Sequence, residues 1–97
     1  MMTPTSNDGA FLRIEMLPAL HGDCLFVEYG DSTRTRRLLI DGGPIATYRH
    51  LAARLDALPA GDRRFELVVM SHVDTDHVEG IVRLLANQPL PMRVIDL

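Results

Sequence analysis

The apolar residues of this chain recur with two periods, and the order of those periods most narrows the folds open to it. Leu12, Ile14 and Met16 alternate with Arg13 and Glu15, the period of a strand with one face buried. After a turn over Pro18–Asp23, the run from Cys24 to Tyr29 reads as a second strand, and Arg37 to Asp41 as a third, stopped by Gly42-Gly43-Pro44. The Gly, Asp and Ser of Gly30–Thr35 mark a hairpin loop between these two. The period then changes. Tyr48, Leu51, Ala52, Leu55 and Leu58 recur at helical spacing, which predicts an amphipathic helix over about residues 45–58 with Arg49, Arg54 and Asp56 outward. Pro59-Ala60-Gly61-Asp62 ends it, and Phe65 to Met70 is a continuous apolar run, as a buried strand should be. Val78, Ile81, Val82 and Leu85 return to helical spacing; residues 87–91 break that helix, and Met92 to Leu97 opens another strand. The order β-β-β-α-β-α-β is an α/β pattern, a mixed sheet with covering helices.

Length and composition bound the reading. The 97 residues allow one small domain at most, and 46% apolar with 24% charged residues is the composition of a soluble globular protein. A net charge of −3 gives no electrostatic argument for a nucleic-acid partner. Cys24 is the single cysteine, so no internal disulfide forms, which fits a reducing cytosol. Residues 1–9 are polar, with Pro and Gly but no basic patch or apolar run; they read as a flexible tail, not a signal peptide. No stretch has the length of a membrane-spanning helix, so no membrane partner is expected.

The chemistry sits in Ser71-His72-Val73-Asp74-Thr75-Asp76-His77, between the apolar strand and the second helix. Four of the six positions from His72 to His77 are potential metal ligands. In an extended loop the side chains of 72, 74 and 76 project to one side, and His77 diverges as the chain turns into the helix. Such a segment can offer two groups of ligands to two neighbouring sites, and imidazole with carboxylate suits zinc, manganese or iron. The structural alternative is that Asp76 and Glu79 form a capping box, Asp74 is a solvated loop carboxylate, and each histidine is structural. Capping leaves His72, Asp74 and His77 without a reason, and the carboxyl end of a buried strand is where α/β folds place active sites.

His72-x-Asp74-x-Asp76-His77 after an apolar strand resembles the His-x-His-x-Asp-His signature of the metallo-β-lactamase superfamily, with Asp at the second His. That variant resembles the branch containing the hydrolase domain of DNA-uptake competence proteins. Gly22-Asp23 before a strand, Leu38-Leu39-Ile40-Asp41-Gly42-Gly43, and the helix opening Asp76-His77-Val78-Glu79-Gly80 are similar to further segments of that branch. The resemblance covers about residues 11–97 and implies the N-terminal half of an αββα sandwich. It implies two divalent metal ions, zinc first, with His72 and Asp74 facing one and Asp76 and His77 the other. Asp76 would be catalytic, and Asp41 would hold the metal-bearing loop by hydrogen bonds without coordinating metal. Asp41 as a plain turn residue before Gly-Gly is the alternative. The resemblance puts His21 and Asp23 at the cleft, although the family has another polar residue where His21 stands. Cys24 reads as a core residue.

The resemblance also implies that the chain is incomplete. The remaining ligands of the family come from a second half with no counterpart here, and an inner sheet face without it would be a large bare apolar patch. The expected partner is the remainder of the same protein or a second chain, and the isolated chain is expected to be inactive. A proteolytic fragment, an engineered piece and a natural split subunit all fit. The expected function of the completed protein is metal-dependent hydrolysis, with nucleic-acid phosphodiesters as the first substrate class. Lactones, thioesters and lactams are alternatives, because fold does not fix substrate. A non-catalytic subunit whose metal braces an interaction module is the rival from another class, and a metal-free structural role is third.

Overall fold

The computed structural model describes residues 9–72, 74–87 and 89–96, and of Thr75 and Asp76 only the backbone. The expected tail thus lies almost wholly outside the described residues. Strands β1 (Phe11–Met16), β2 (Leu25–Gly30) and β3 (Thr35–Ile40) form an antiparallel meander, and β5 (Leu67–Val69) joins β3 in parallel, giving the order β1-β2-β3-β5. The mixed α/β sheet expected from the pattern is therefore present. The β2–β3 turn is tied by Asp31, whose Oδ1 accepts from Thr33 N at 2.8 Å and Arg34 N at 3.1 Å.

Between β3 and β5 the chain passes through a 3-10 turn (Ile45–Thr47), helix α1 (Tyr48–Asp56) and a second 3-10 turn (Ala60–Asp62). The run from Phe65 to Met70, expected as one strand, divides. Strand β4 (Arg64–Phe65) pairs in parallel with β6 (Arg93–Val94) in a separate small sheet. The division falls at Glu66, whose N–H turns to Arg37 O at 2.8 Å, while Val68 N donates to Asp96 O at 3.0 Å. Helix α2 (Thr75–Leu85) lies between β5 and β6.

Both helices cover the same face of the main sheet. Leu51 and Leu55 of α1 and Ile81 and Leu84 of α2 bury against Phe26, Leu39 and Val68 of the sheet and Phe65 of β4. Phe26 and Phe65 meet edge to face, with centroids 5.6 Å apart at 87°. Arg54 is not outward, as the helical period suggested. Its guanidinium lies 4.1 Å from the Phe26 ring centroid and binds Glu15 Oε1 at 2.9 Å, and a second nitrogen is 3.6 Å from Glu28 Oε1. Buried Glu28 also holds Arg37 Nε at 2.9 Å and Arg13 Nη1 at 3.1 Å. These pairs turn the charged side of β1 to the helix-covered face, with Glu15 against α1, and give the buried Glu28 carboxylate the partners it needs.

The other face is apolar and exposed along its β1 edge, while Val27 near its centre is buried. Side chains in register share a face, and two rows of this kind cross all four strands. Met16, Leu25, Ile40 and Val69 form one; Ile14, Val27, Leu38 and Leu67 form the other. Leu12, Ile14 and Met16 are 68%, 59% and 75% exposed. The alternation in β1 thus marks a strand, but its apolar side faces water, not the helix-covered core. Among the described residues no helix is long and apolar enough to cross a membrane.

Candidate metal centre

Three backbone segments converge at the carboxyl end of β3 and β5. Asp41 follows β3 directly and takes a left-handed conformation (φ 61°), from which its N–H still reaches Val69 O at 2.7 Å. The first turn of α2 then docks on Gly42-Gly43. Gly42 N donates to His77 O, and Gly80 N to Gly43 O, both at 2.8 Å. This approach requires both glycines: a Cβ on Gly80 would lie 1.8 Å from Gly42 O, and one on Gly42 would lie 2.3 Å from Ile81 N.

The docking brings His72 and His77 together, with ring centroids 4.6 Å apart at 45°. Among the described residues, Asp41, His72 and His77 each offer one ligand atom, and these atoms lie within 4.8 Å of one another. The Asp41 carboxylate is 1% exposed and heavily engaged. Its Oδ1 accepts Ser71 N–H at 2.7 Å; its Oδ2 accepts the Ser71 hydroxyl at 2.5 Å and faces His77 Nδ1 at 3.2 Å. Ser71 thus engages both carboxylate oxygens, and Oδ2 also faces His77, so Asp41 ties the end of β3 to the histidine loop. Burial acts to raise its pKa, but the hydrogen bonds from Ser71 and His77 outweigh it, and the carboxyl stays below the ordinary aspartate value.

The remaining candidates fall around this pair. Asp23 Oδ2 is 3.6 Å from His77 Nδ1, so the Gly22-Asp23 turn does reach the cluster. His21 is exposed on the same turn. Asp74 is the N-terminal cap position of α2 and accepts His77 N–H and Val78 N–H through its backbone carbonyl at 3.0 and 3.1 Å. Its side chain is exposed, makes no capping hydrogen bond, and lies outside the Asp41–His72–His77 group. The side chain of Asp76 lies outside the described residues. The capping box does not form: Asp76 is already inside the helix, and Glu79 Oε1 accepts Ile45 N–H at 3.0 Å across the docking loop. Cys24 is buried as expected; burial and the nearby Asp41 charge push its thiol up to about 12.

Sequence reasoning passed over Ser71. A hydroxyl between the end of a buried strand and a histidine was the available signal. In the structure Ser71 touches both Asp41 and His72, the latter at Nδ1, 2.9 Å away.

The residues fit a divalent ion in donor chemistry: two imidazoles side by side, each with Nδ1 engaged, at the end of a buried strand. Comparison with protein-family models, with curated proteins and with solved structures finds no match for the chain.

Proposed function

We propose that this chain supplies one sheet and about half of the ligands of a metal-dependent hydrolase of the metallo-β-lactamase type, with nucleic-acid phosphodiesters as the first substrate class and a cytosolic location. The observation that carries the reading is the His72–His77 pair, its rings 4.6 Å apart at the carboxyl end of β5 beside the buried Asp41 carboxylate. The resemblance of the surrounding motif supplies the rest. In this reading His72 and Asp74 serve one ion and Asp76 and His77 a second, zinc or alternatively manganese or iron. Bound metal supplies Lewis acidity and lowers the pKa of a water toward neutrality. Asp41 keeps the two rings oriented, and Asp76 orients the attacking water and accepts its proton.

The apolar sheet face, exposed along β1, supports incompleteness. The two apolar rows would be covered by a second sheet, from the remainder of the same protein or from another chain, which also brings the missing ligands. An exposed face of this kind equally suits an interaction module braced by metal. Hydrolysis separates the two. The completed protein, loaded with zinc or manganese, is assayed on DNA and RNA, then on lactone, thioester and lactam substrates. Turnover that disappears in Asp76→Ala supports the enzyme; full activity in that variant rules out the mechanism, and silence on every substrate favours the interaction module.

A further inference from the structure

We propose that the Ser71 hydroxyl is a relay through which Asp41 fixes the ring tautomer of His72, with the proton on Nδ1 and the lone pair on Nε2. A serine hydroxyl has one proton to give and two lone pairs. At 2.5 Å from Asp41 Oδ2, the Ser71 Oγ contact has the length of a hydroxyl donating to a carboxylate. Asp41 Oδ1 also accepts the Ser71 N–H at 2.7 Å, and a carboxylate above imidazole titration is ionised and only accepts. The hydroxyl proton is therefore committed to Asp41. Toward His72 Nδ1, 2.9 Å away, Oγ can only accept, and Nδ1 must carry the proton.

The same reasoning applies to His77 without a relay. Its Nδ1 faces Asp41 Oδ2 at 3.2 Å and Asp23 Oδ2 at 3.6 Å, and neither carboxylate can donate. Which nitrogen of a histidine binds metal is set by the hydrogen bond the other makes. The Nδ1–H assignments follow from the contacts; the purpose of the His72 tautomer, an Nε2 lone pair presented to metal, rests on the metal-site reading above. Ser71 is thereby a positioning residue, acting through His72.

Histidine-labelled full chain, free of metal and at a pH above imidazole titration, tests this by long-range 1H–15N correlation, with amide dispersion reporting the fold. Both rings should show the Nδ1–H form, whereas free imidazole side chains in water favour Nε2–H. Ser71→Ala should return His72 to Nε2–H and leave His77 unchanged, and Ser71→Thr should keep the wild-type pattern. His72 as Nε2–H in the wild type, or unmoved by Ser71→Ala, overturns the relay. If Ser71→Ala fails to fold, the wild-type tautomer decides alone. Zinc added to the completed protein, which includes the ligands this chain lacks, separates the two proposals. Ser71→Ala should weaken zinc binding by about 10-fold. Expected tautomers without zinc binding would sink the metal reading and leave the relay; zinc binding with Nε2–H on metal-free His72 would do the reverse.

Discussion

Asp41 and Ser71, thirty residues apart in sequence, are joined by two hydrogen bonds, from the Ser71 N–H and the Ser71 hydroxyl to the two oxygens of one carboxylate. This pair ties the end of β3 to the end of β5 and fixes where the histidine loop begins. Asp41→Asn keeps the size and tolerates the left-handed backbone, but loses the charge. It should cost about 1.5–3 kcal/mol in denaturant unfolding near neutral pH, the range for hydrogen bonds to a charged group.

The same pair predicts a pH dependence. The folded-state pKa of Asp41 is depressed, so its contribution is present above the ordinary aspartate pKa of about 3.9 and lost as pH falls through the lower folded value. The stability gap between wild type and Asp41→Asn should be constant from neutral pH down to about 5 and close below 3.9. A gap that persists at the most acid pH would contradict the assignment.

Gly80 offers a test of the helix docking. In an open helix Gly→Ala gains about 1 kcal/mol. Here the added Cβ would sit 1.8 Å from Gly42 O, against backbone that carries Asp41. Gly80→Ala should lower the unfolding midpoint and displace His77. A stabilised variant would show that the close approach is not maintained in solution.

The apolar face exposed along β1 predicts association. Burying a Leu, Ile or Met side chain contributes about 1.5–3 kcal/mol, and Leu12, Ile14 and Met16 leave most of that unrealised. The isolated chain should self-associate in sedimentation, and Leu12→Thr, Ile14→Thr and Met16→Thr together should return it toward a monomer without loss of secondary structure. A wild-type chain that sediments as a monomer at high concentration would contradict the account of this face.

Cys24 should be inert. Its thiol is buried and pushed up to about 12, while alkylation needs the thiolate. Reaction with an alkylating reagent at mildly alkaline pH should be slow in the native chain and fast on unfolding. Equal rates would place the thiol outside the core.

The element order was legible because it rests on periods, and three strands, two helices and the strand before the histidine loop stand near their expected positions. The buried side of β1 was not. Leu12, Ile14 and Met16 outrank Arg13 and Glu15 in hydrophobicity, and nothing local says that Arg54 and Glu28 will turn the charged side to the helix-covered face. The His72–His77 pairing was missed for a related reason. Alternation in an extended loop grouped 72, 74 and 76, but the helix begins at Thr75, and its first turn carries His77 back beside His72. The orienting role of Asp41 was reachable only through the family resemblance, since its partners are remote in sequence.

The central claim is that His72 and His77 are ligands of bound divalent metal. Equilibrium dialysis of the completed protein against zinc, followed by elemental analysis, tests it most directly. The account predicts bound zinc in the wild type and loss of most of it when His72→Ala and His77→Ala are combined; an unchanged zinc content in that double variant, or no zinc in the wild type, would contradict it.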